Sequence, residues 1–344
     1  MNIKQSTDMN DKWSAICNLF AAVMLTLAAT VAEPAAAQST VPEALQKVLV
    51  RFTWKLAGYY TPLFVALDRG YYRAEGLDIE FAEGSGSETV VKLIAAGTDK
   101  IAYGPATVAA EAVSRGLPVK VIAIYQRKTP IGLMSFPDVP LKSPKDLEGK
   151  TLGLATGEAF ANMVALFARL NNIDLSKIKV IQMDSSARNS QFMVRKIDIM
   201  TVYIIDEIPL MEKRAGVKFN VLDVSDYGLK LLGQSFIVND EFARSNPDVL
   251  RKLLRATAKG YADVSKDPIA AAIIMNKHRN IPLDSDVAEE QVKLMLDWTD
   301  STAGKPLGWQ DESDWQSNLD LLKRSGDIKE TKHLPDYYTN EYFQ

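Results

Sequence analysis

The sequence predicts an α/β protein in which strands and helices alternate through two consecutive units, followed by a tail of helices. Three observations lead to this prediction. Short apolar runs alternate with helical segments from about residue 48 to residue 222, glycines and capping residues stand at their boundaries, and the pattern after residue 247 is helical only. Strands joined by helical crossovers pair in parallel, so each unit is expected to form a sheet covered by helices.

The composition is that of an ordinary globular protein and excludes several classes of function. Of the 344 residues, 47% are hydrophobic and 24% are charged, and 40 basic side chains oppose 43 acidic ones. This content suffices for a core and differs from that of disordered, collagenous or coiled-coil chains. A surface that binds nucleic acid needs clustered Lys and Arg, and the sequence has no basic tract, so no nucleic-acid partner is expected.

An apolar run near the start of the chain predicts a signal peptide at residues 1–37. Residues 19–32 read LFAAVMLTLAATVA, which has the length of a signal-peptide core and is too short to span a bilayer. A Glu-Pro pair ends the run and three alanines follow it, so cleavage is predicted before Gln38. Because the single Cys17 precedes the run, no lipid anchor is expected, and the exported chain would contain no disulfide. A buried N-terminal helix is the alternative.

The first unit contains four predicted strands and three predicted helices. Thr61 is a suitable N-cap and Pro62 a suitable first helical residue, and glycines stand where each helix ends. The strands are predicted at 48–54, 77–82, 100–103 and 119–125, and the helices at 62–73, 88–96 and 106–115.

The second unit repeats this alternation, and a helical tail follows it. Its elements begin with a capped turn at 143–149, followed by strands at 151–154, 178–183, 198–203 and 218–222, helices at 158–171 and 207–214, and a further helix after the caps at 184–186. One more strand is predicted at 231–238, and tail helices at 247–266, 268–277, 285–298 and 311–324. Because the tail lacks strands, it is expected to pack on one of the two units.

Four loops that follow strands predict a cleft shared by the two units. Open parallel sheets bind ligands outside the carboxyl ends of their strands, where helix N-termini gather. Compact connections alone would explain any one of these loops. Their equivalent positions in both units favour a common ligand site. They consist of small residues that expose backbone N–H groups: Gly84–Ser87, Gly104–Thr107, Ala155–Glu158 and Asp184–Ser186.

The stretch from Trp54 to Ile79, WKLAGYYTPLFVALDRGYYRAEGLDI, resembles the opening of the NMT1/THI5-like, SsuA/TauA-like solute-binding proteins of ABC importers. Later segments are similar to the same group in the same order: Gly84–Ser87, Gly97–Pro105, Gly116–Val119, Asp146–Gly153, Ile197-Asp198 with Glu207, and Asn246-Pro247. The resemblance implies a type II periplasmic-binding-protein fold. This fold has two α/β lobes, a hinge that the chain crosses twice and a helical C-terminal extension on lobe 1.

The resemblance also implies lobe boundaries and partners. Lobe 1 would comprise residues 38–126 and 231–344, lobe 2 residues 131–222, and the hinge crossings residues 127–130 and 223–230. The implied partners are a small-molecule ligand and a membrane ABC permease with its cytoplasmic ATPase, and the implied protein is a periplasmic monomer. No cofactor is expected. The two histidines, His278 and His333, are too few and too far apart in sequence for a metal site.

Candidate ligand residues stand at the ends of strands and in the loops between the units. Trp54, Tyr59 and Tyr60 are candidates to stack on a planar or aliphatic ligand. Glu207 is a candidate acceptor for an N–H group and Arg188 a candidate partner for an anion. Core packing of Trp54, a solvated Glu207 and an exposed Arg188 remain open as alternatives. The remaining candidates are small, hydroxyl-bearing or acidic residues and two tyrosines: Ser85, Ser87, Ala106, Thr156, Gly157, Glu158, Tyr203 and Tyr227.

An enzyme is the alternative function. The fungal pyrimidine synthase of the same family resembles this chain over the same stretch; it acts with pyridoxal phosphate and consumes a histidine placed just before the first helix. Here Tyr60 stands at that position and Ala57 replaces the asparagine expected before it, so the nitrogen donor is missing. A secreted cleft enzyme would use Glu158, Asp206 or Glu207 as acid or base. A receptor would instead capture a thiamine-type pyrimidine, a flavin, an aromatic acid or a sulfonate.

Overall fold

Ten strands of the described chain, residues 44–343, form two mixed sheets of five strands each in this computed structural model. The predicted signal peptide and its cleavage site lie outside these residues. The strands are β1 (Gln46–Phe52), β2 (Leu77–Ala82), β3 (Ile101–Pro105), β4 (Val119–Ile124), β5 (Ile131–Ser135), β6 (Thr151–Ala155), β7 (Lys179–Met183), β8 (Ile199–Tyr203), β9 (Asn220–Asp223) and β10 (Gln234–Asn239).

Helices cover both sheets and form most of the C-terminal third of the chain. They are α1 (Thr61–Asp68), α2 (Tyr71–Ala74), α3 (Ser87–Ala95), α4 (Ala106–Ser114), α5 (Ala159–Leu170), α6 (Ser185–Met193), α7 (Ile204–Ala215), α8 (Asp240–Ser245), α9 (Pro247–Lys266), α10 (Pro268–Lys277), α11 (Ser285–Asp297), α12 (Glu312–Ser325) and α13 (Leu334–Tyr337). The single helix predicted at 62–73 is two helices, because Gly70 adopts a left-handed conformation with φ 72° between α1 and α2.

The two sheets have equivalent strand orders, β2-β1-β3-β10-β4 and β7-β6-β8-β5-β9. The first three strands of each sheet are parallel. The fourth strand, β10 or β5, runs antiparallel to both of its neighbours. The chain passes between the sheets at residues 125–130 and 224–233, and each antiparallel strand is the first one formed after a passage. The predicted α/β class with two sheets is thereby confirmed.

The core of the first sheet is rich in aromatic side chains and close helix contacts. Tyr103 and Tyr261 are fully or almost fully buried and share a hydrogen bond of 2.8 Å between their hydroxyl groups. Helix α9 crosses α1 at Gly260, where a Cβ atom would lie 2.2 Å from the carbonyl oxygen of Pro62. The absence of a side chain at this glycine lets the two helix backbones approach.

The helical tail does not pack on one unit alone. Helices α9 and α10 pack on α1, beside the first sheet, as expected for an extension of lobe 1. Helix α11 contacts α7, which follows a strand of the second sheet, and α12 contacts both α4 and α5. We call each sheet, together with the helices between its strands, a layer. Helix α12 buries Trp315, Leu319 and Leu322 in one apolar cluster with Leu152 and Phe160 of the second layer. The tail therefore bridges the two layers on two flanks.

Charged side chains hold the first passage between the sheets in place. Lys128 Nζ lies 3.0 Å from Asp223 Oδ2, which joins the first passage to the residue that ends β9. The guanidinium of Arg127 binds Asp311 and Asp314 at the start of α12.

None of the helices between residues 44 and 343 combines the length and the hydropathy that a bilayer span requires.

A candidate ligand site between the two sheets

The candidate site lies where loops from the carboxyl ends of both sheets meet. Tyr59 belongs to a 3-10 turn after β1, Gly58–Tyr60, which we call the aromatic turn. Its ring centroid lies 5.0 Å from that of Tyr203, which ends β8 in the other sheet. The backbone N–H of Gly58 donates to Asp206 Oδ1 at 2.9 Å, although 148 positions separate the two residues. Loops from the two units therefore lie side by side.

The wall from the first sheet is aromatic. Tyr60 is completely buried, and its ring stacks on Phe52 with centroids 3.9 Å apart. Burial raises the pKa of Tyr59, Tyr60 and Tyr203, so all three remain neutral phenols at physiological pH. Tyr60 therefore packs in the apolar core and presents no ring face to a ligand, although it was a candidate for stacking. Trp54 follows β1 and is 42% exposed, which excludes core packing as its role.

The wall from the second sheet is a charged group that we call the carboxylate cluster: Glu158, Arg188 and Glu207. Arg188 is 3% exposed, and all five of its N–H donors are occupied. Nη1 donates to Glu158 Oε2 at 3.0 Å and to Thr201 Oγ1 at 2.9 Å. Nη2 donates to Glu207 Oε1 at 2.5 Å and, with Nε, to Asn189 Oδ1. Arg188 thus orients internal carboxylates and has no donor left for an anionic ligand.

Three successive helices of the second layer supply the carboxylate cluster. Glu158 is the N-cap residue of α5, Arg188 lies in α6, and Glu207 lies in the first turn of α7. Carboxylates at helix N-termini interact favourably with the helix dipole. Glu207 Oε2 also accepts the backbone N–H of Tyr203 at 2.8 Å. Helix α7 begins at Ile204, three residues before the predicted start. Glu207 therefore lies inside the helix, and its side chain contacts Arg188.

Glu158 combines an unusual protonation equilibrium with a free acceptor atom. Burial, opposed by the charge of Arg188 and assisted by that of Glu207, raises the pKa of Glu158 to about 7. Its Oε1 atom is shielded from solvent and has no hydrogen-bond partner among the described residues. A ligand group placed there would therefore meet an acceptor whose charge changes near neutral pH.

Two glutamines complete the site, and the sequence analysis did not single them out. The Tyr203 hydroxyl donates to Gln126 Oε1 at 3.3 Å and accepts from Gln234 Nε2 at 3.1 Å. Both glutamines are almost fully buried, and Gln234 Oε1 has no partner among the described residues. The signal that would have identified Gln234 is its polar side chain inside the apolar run at 231–238, which indicated only a strand.

Four predicted residues are exposed or half-buried in loops or at the start of a helix. Thr156 and Gly157 are exposed in the loop between β6 and α5. Ser85 is exposed after β2, and Ser87 is half-buried at the first position of α3. Whether they contact a ligand therefore stays a prediction.

Two predicted residues lie away from the site. Ala106 is completely buried, and its N–H donates to the carbonyl oxygen of Gly233 at 2.8 Å, so it offers no surface to a ligand. The carbonyl oxygen of Tyr227 accepts from Asn171 Nδ2 at 3.0 Å, at the end of α5 opposite Glu158. A helix of 12 residues is about 18 Å long, which separates Tyr227 from the carboxylate cluster.

No metal site is found within the described range. Between residues 44 and 343, no three His, Cys, Asp or Glu side chains are grouped as a metal ion would require. His278 packs against the ring of Phe64, with centroids 4.6 Å apart, and burial lowers its pKa. This histidine is thus part of the packing around α1.

Two mixed five-stranded sheets that the chain connects by two passages, with helices on both, define the architecture of a periplasmic binding protein. A family model described as NMT1/THI5 like matches residues 57–271. The chain belongs to this family, as the resemblance in the stretch from Trp54 to Ile79 and in the later segments indicated.

Relatives with described functions match over most of the chain. The riboflavin-binding protein RibY of Chloroflexus aurantiacus is 26% identical over 332 residues, which covers 92% of this chain and 92% of the relative. The formylaminopyrimidine-binding protein of Halalkalibacterium halodurans is 26% identical over 286 residues, which covers 81% and 86%. A 4-amino-5-hydroxymethyl-2-methylpyrimidine phosphate synthase of Saccharomyces cerevisiae is 24% identical over 321 residues, which covers 86% and 87%.

Solved structures share the architecture at low sequence identity. The periplasmic aliphatic sulphonate-binding protein SsuA of Escherichia coli superposes with a TM-score of 0.65 at 13% identity, over 85% of this chain and 91% of SsuA. This likeness confirms the predicted periplasmic-binding-protein fold.

Proposed function

We propose that this chain is the extracytoplasmic solute-binding receptor of an ABC importer. It captures a small planar N-heterocycle between its two sheets and delivers it to a membrane permease. The observation that carries this proposal is a pair of acceptor atoms without partners among the described residues, Glu158 Oε1 and Gln234 Oε1. Buried polar groups are normally hydrogen-bonded, and each one left unpaired costs about 1–3 kcal/mol. A bound ligand that pairs with them removes this cost.

The chemistry of these atoms favours a ligand with N–H donors and a flat ring. Both atoms are acceptors, and the Gln234 side chain also donates to the hydroxyl of Tyr203, whose ring lies against that of Tyr59. Riboflavin and formylaminopyrimidine, which relatives are named for binding, both contain planar nitrogen rings. Sulfonates and nitrate are poor candidates here, because every N–H donor of Arg188 is already occupied.

Isothermal titration calorimetry with two sets of compounds tests the ligand class. Riboflavin, formylaminopyrimidine and thiamine form the first set, and taurine, an alkanesulfonate and nitrate form the second. Binding is expected within the first set only. Glu158→Gln and Gln234→Ala should each weaken binding about fivefold to a hundredfold, since each removes or alters one buried acceptor. The control Asp138→Ala changes an exposed acid of the second layer. Tight binding of a sulfonate or of nitrate would contradict the proposed ligand class. Failure to bind any compound of the first set would contradict it as well.

The receptor binds its ligand without turnover. The position where the related synthase places its histidine holds Tyr60, which is completely buried against Phe52 and offers no nitrogen. Glu158 and Glu207 share the guanidinium of Arg188 and do not form an acid–base pair aimed at a common reacting atom. Mass spectrometry after incubation with pyridoxal phosphate and with each compound of the first set is expected to detect no product and no loss of mass from the protein.

Export and delivery complete the proposal. The apolar run at residues 19–32 directs the chain out of the cytoplasm, and cleavage before Gln38 releases a periplasmic monomer that docks on the permease. Fractionation of a Gram-negative host should place the protein in the periplasm, with an N-terminus at Gln38 by mass spectrometry. Retention in the cytoplasm with residues 1–37 intact would contradict this step.

A further inference from the structure

Asp206 joins the second layer to the aromatic turn and to the helical tail. It lies in the first turn of α7, directly before Glu207 of the carboxylate cluster. Its Oδ1 accepts the N–H of Gly58 in the aromatic turn at 2.9 Å. Its backbone carbonyl oxygen accepts from Gln291 Nε2 of α11 at 2.7 Å. One residue of the second layer therefore contacts both the aromatic turn and the helical tail.

The surroundings of Asp206 leave little freedom for another arrangement. Gln291 is 1% exposed, and its Oε1 accepts from Arg279 Nη2 at 2.9 Å. Arg279 also stabilises the Asp206 carboxylate through its positive charge. A Cβ atom on Gly58 would lie 2.7 Å from Gln291 Oε1, so only glycine lets the backbone N–H reach Asp206 while Gln291 keeps its place.

The exposed ion pair between α7 and α11 is a weaker contact. Lys213 of α7 pairs with Asp286 of α11 at 2.6 Å, but both side chains are about half exposed or more. Exposed ion pairs contribute little, since water screens them and their side chains lose freedom on pairing. The partly buried Asp206–Gly58 hydrogen bond joins α7 directly to the aromatic turn, and beside it Ile205 of α7 packs in the same apolar cluster as Tyr59 and Tyr60.

We propose that Asp206 is a positioning residue for the ligand site, an inference that rests on the proposed function. Asp206 docks the aromatic turn onto α7 and thereby sets Tyr59 against Tyr203 as the cleft closes. Glu207, the next residue, holds the carboxylate cluster to the same helical turn. Any movement of the start of α7 therefore shifts both the contact between Tyr59 and Tyr203 and the carboxylate cluster.

A distance measurement between the two layers tests this inference without a ligand. Spin labels are placed on the full chain carrying Cys17→Ser, at Thr89→Cys and Ser186→Cys, two exposed positions on helices that follow β2 and β7. Pulsed electron paramagnetic resonance then gives the distribution of distances. Asp206→Ala is expected to add a population with a longer distance. Asp206→Asn keeps an acceptor oxygen for Gly58 and is expected to retain the wild-type distribution.

A second variant and a control make the result decisive. Gly58→Ala displaces Gln291 and leaves the Asp206 carboxylate intact, and it is expected to lengthen the distance as Asp206→Ala does. The exposed Asp226→Ala should change nothing. Riboflavin serves as the binding probe. If the closed population of a variant falls to one tenth of that of the wild type, its apparent affinity for riboflavin should fall about tenfold.

The outcomes of this test separate the inference from the proposed function. Wild-type distance distributions in both Asp206→Ala and Gly58→Ala, with wild-type circular dichroism, would overturn the positioning role whether or not a ligand binds. Longer distances in these variants together with no binding of riboflavin by the wild type would support the positioning role and count against the proposed ligand class alone.

Discussion

At the scale of single residues, Arg188 determines what the candidate site accepts. A buried guanidinium is normally expected to bind an anion. Here both carboxylates of the cluster, with Thr201 and Asn189, already occupy its donors. The cluster as a whole carries one positive and, with both acids ionised, two negative charges. It therefore presents acceptor atoms and leaves no guanidinium donor free for an anion.

The raised pKa of Glu158 makes ligand affinity depend on pH. Below its pKa of about 7, this carboxyl is mostly protonated in the free protein. An N–H donor on the ligand favours the carboxylate, so binding releases a proton and affinity rises with pH up to and through 7, by at most about tenfold per pH unit below the pKa. Calorimetric titrations with riboflavin from pH 5.5 to 8.5 check this, and Glu158→Gln should abolish the dependence. An affinity that is constant or falls with pH in the wild type would contradict it.

Removal of Arg188 is expected to destabilise the fold. Arg188→Met leaves Glu158 and Glu207 close together without their shared cation, and breaking a buried ion pair from one side costs about 3–5 kcal/mol. Because each acid is about one-fifth exposed, we expect the lower end of this range. Urea denaturation measures the change. Arg251→Met is the matched control, since Arg251 pairs with an 85% exposed Asp248 and its loss should cost less than about 1 kcal/mol.

At the scale of secondary-structure elements, the sequence predicts those that have caps or a clear period. The bounds of α9 and α10 match the predicted ranges, because Asn246-Pro247 and Asp267-Pro268 mark both starts. Strand β5 was not predicted. All five of its residues are buried, so the run shows no alternation of polar and apolar side chains.

The sequence allowed the residues of the candidate site to be predicted, but it did not allow the contacts between their side chains to be predicted. Glu158, Arg188 and Glu207 were each proposed from their place after a strand. Their mutual contacts depend on β6, β7 and β8 being adjacent, and strand order cannot be read from local sequence. For the same reason, Arg188 was expected to serve an anion. Gln126 and Gln234 are positioned by the two passages between the sheets, which join residues far apart in sequence.

The crossing of α1 and α9 gives a prediction for packing. Gly260→Ala adds a methyl group 2.2 Å from the carbonyl oxygen of Pro62 and 2.9 Å from Ala66 Cβ. Alanine improves helix propensity by about 1 kcal/mol, but overpacking costs about 1–3 kcal/mol and the helices must separate. We expect a net loss of stability, seen as a lower urea midpoint. Ser265→Ala, at an exposed position of α9, is the control and should be nearly neutral; a stabilised Gly260→Ala protein would refute the close contact.

At the scale of the whole molecule, the two sheet layers share one apolar cluster in spite of the cleft. Val121 and Ile237 of the first sheet, Leu133 and Leu152 of the second, and Trp315 of α12 all belong to it. By its internal contacts, the described chain from Leu45 onward is one compact unit. The tail connects the layers on the flanks, so neither layer loses its neighbour without exposing apolar surface.

This shared cluster predicts that both layers unfold in one cooperative transition. Four of the five tryptophans fall in the described residues, and none lies between 131 and 223, so their fluorescence follows the first layer and the tail. Far-UV circular dichroism follows the helices and strands of both layers. The two urea curves should therefore have the same midpoint. A variant with Phe219→Trp adds a reporter to the second layer, beside Phe136 and Phe192, and its curve should coincide as well. If that reporter changes at a urea concentration where the native tryptophans do not, the layers unfold separately and the bridging role of α11 and α12 is refuted.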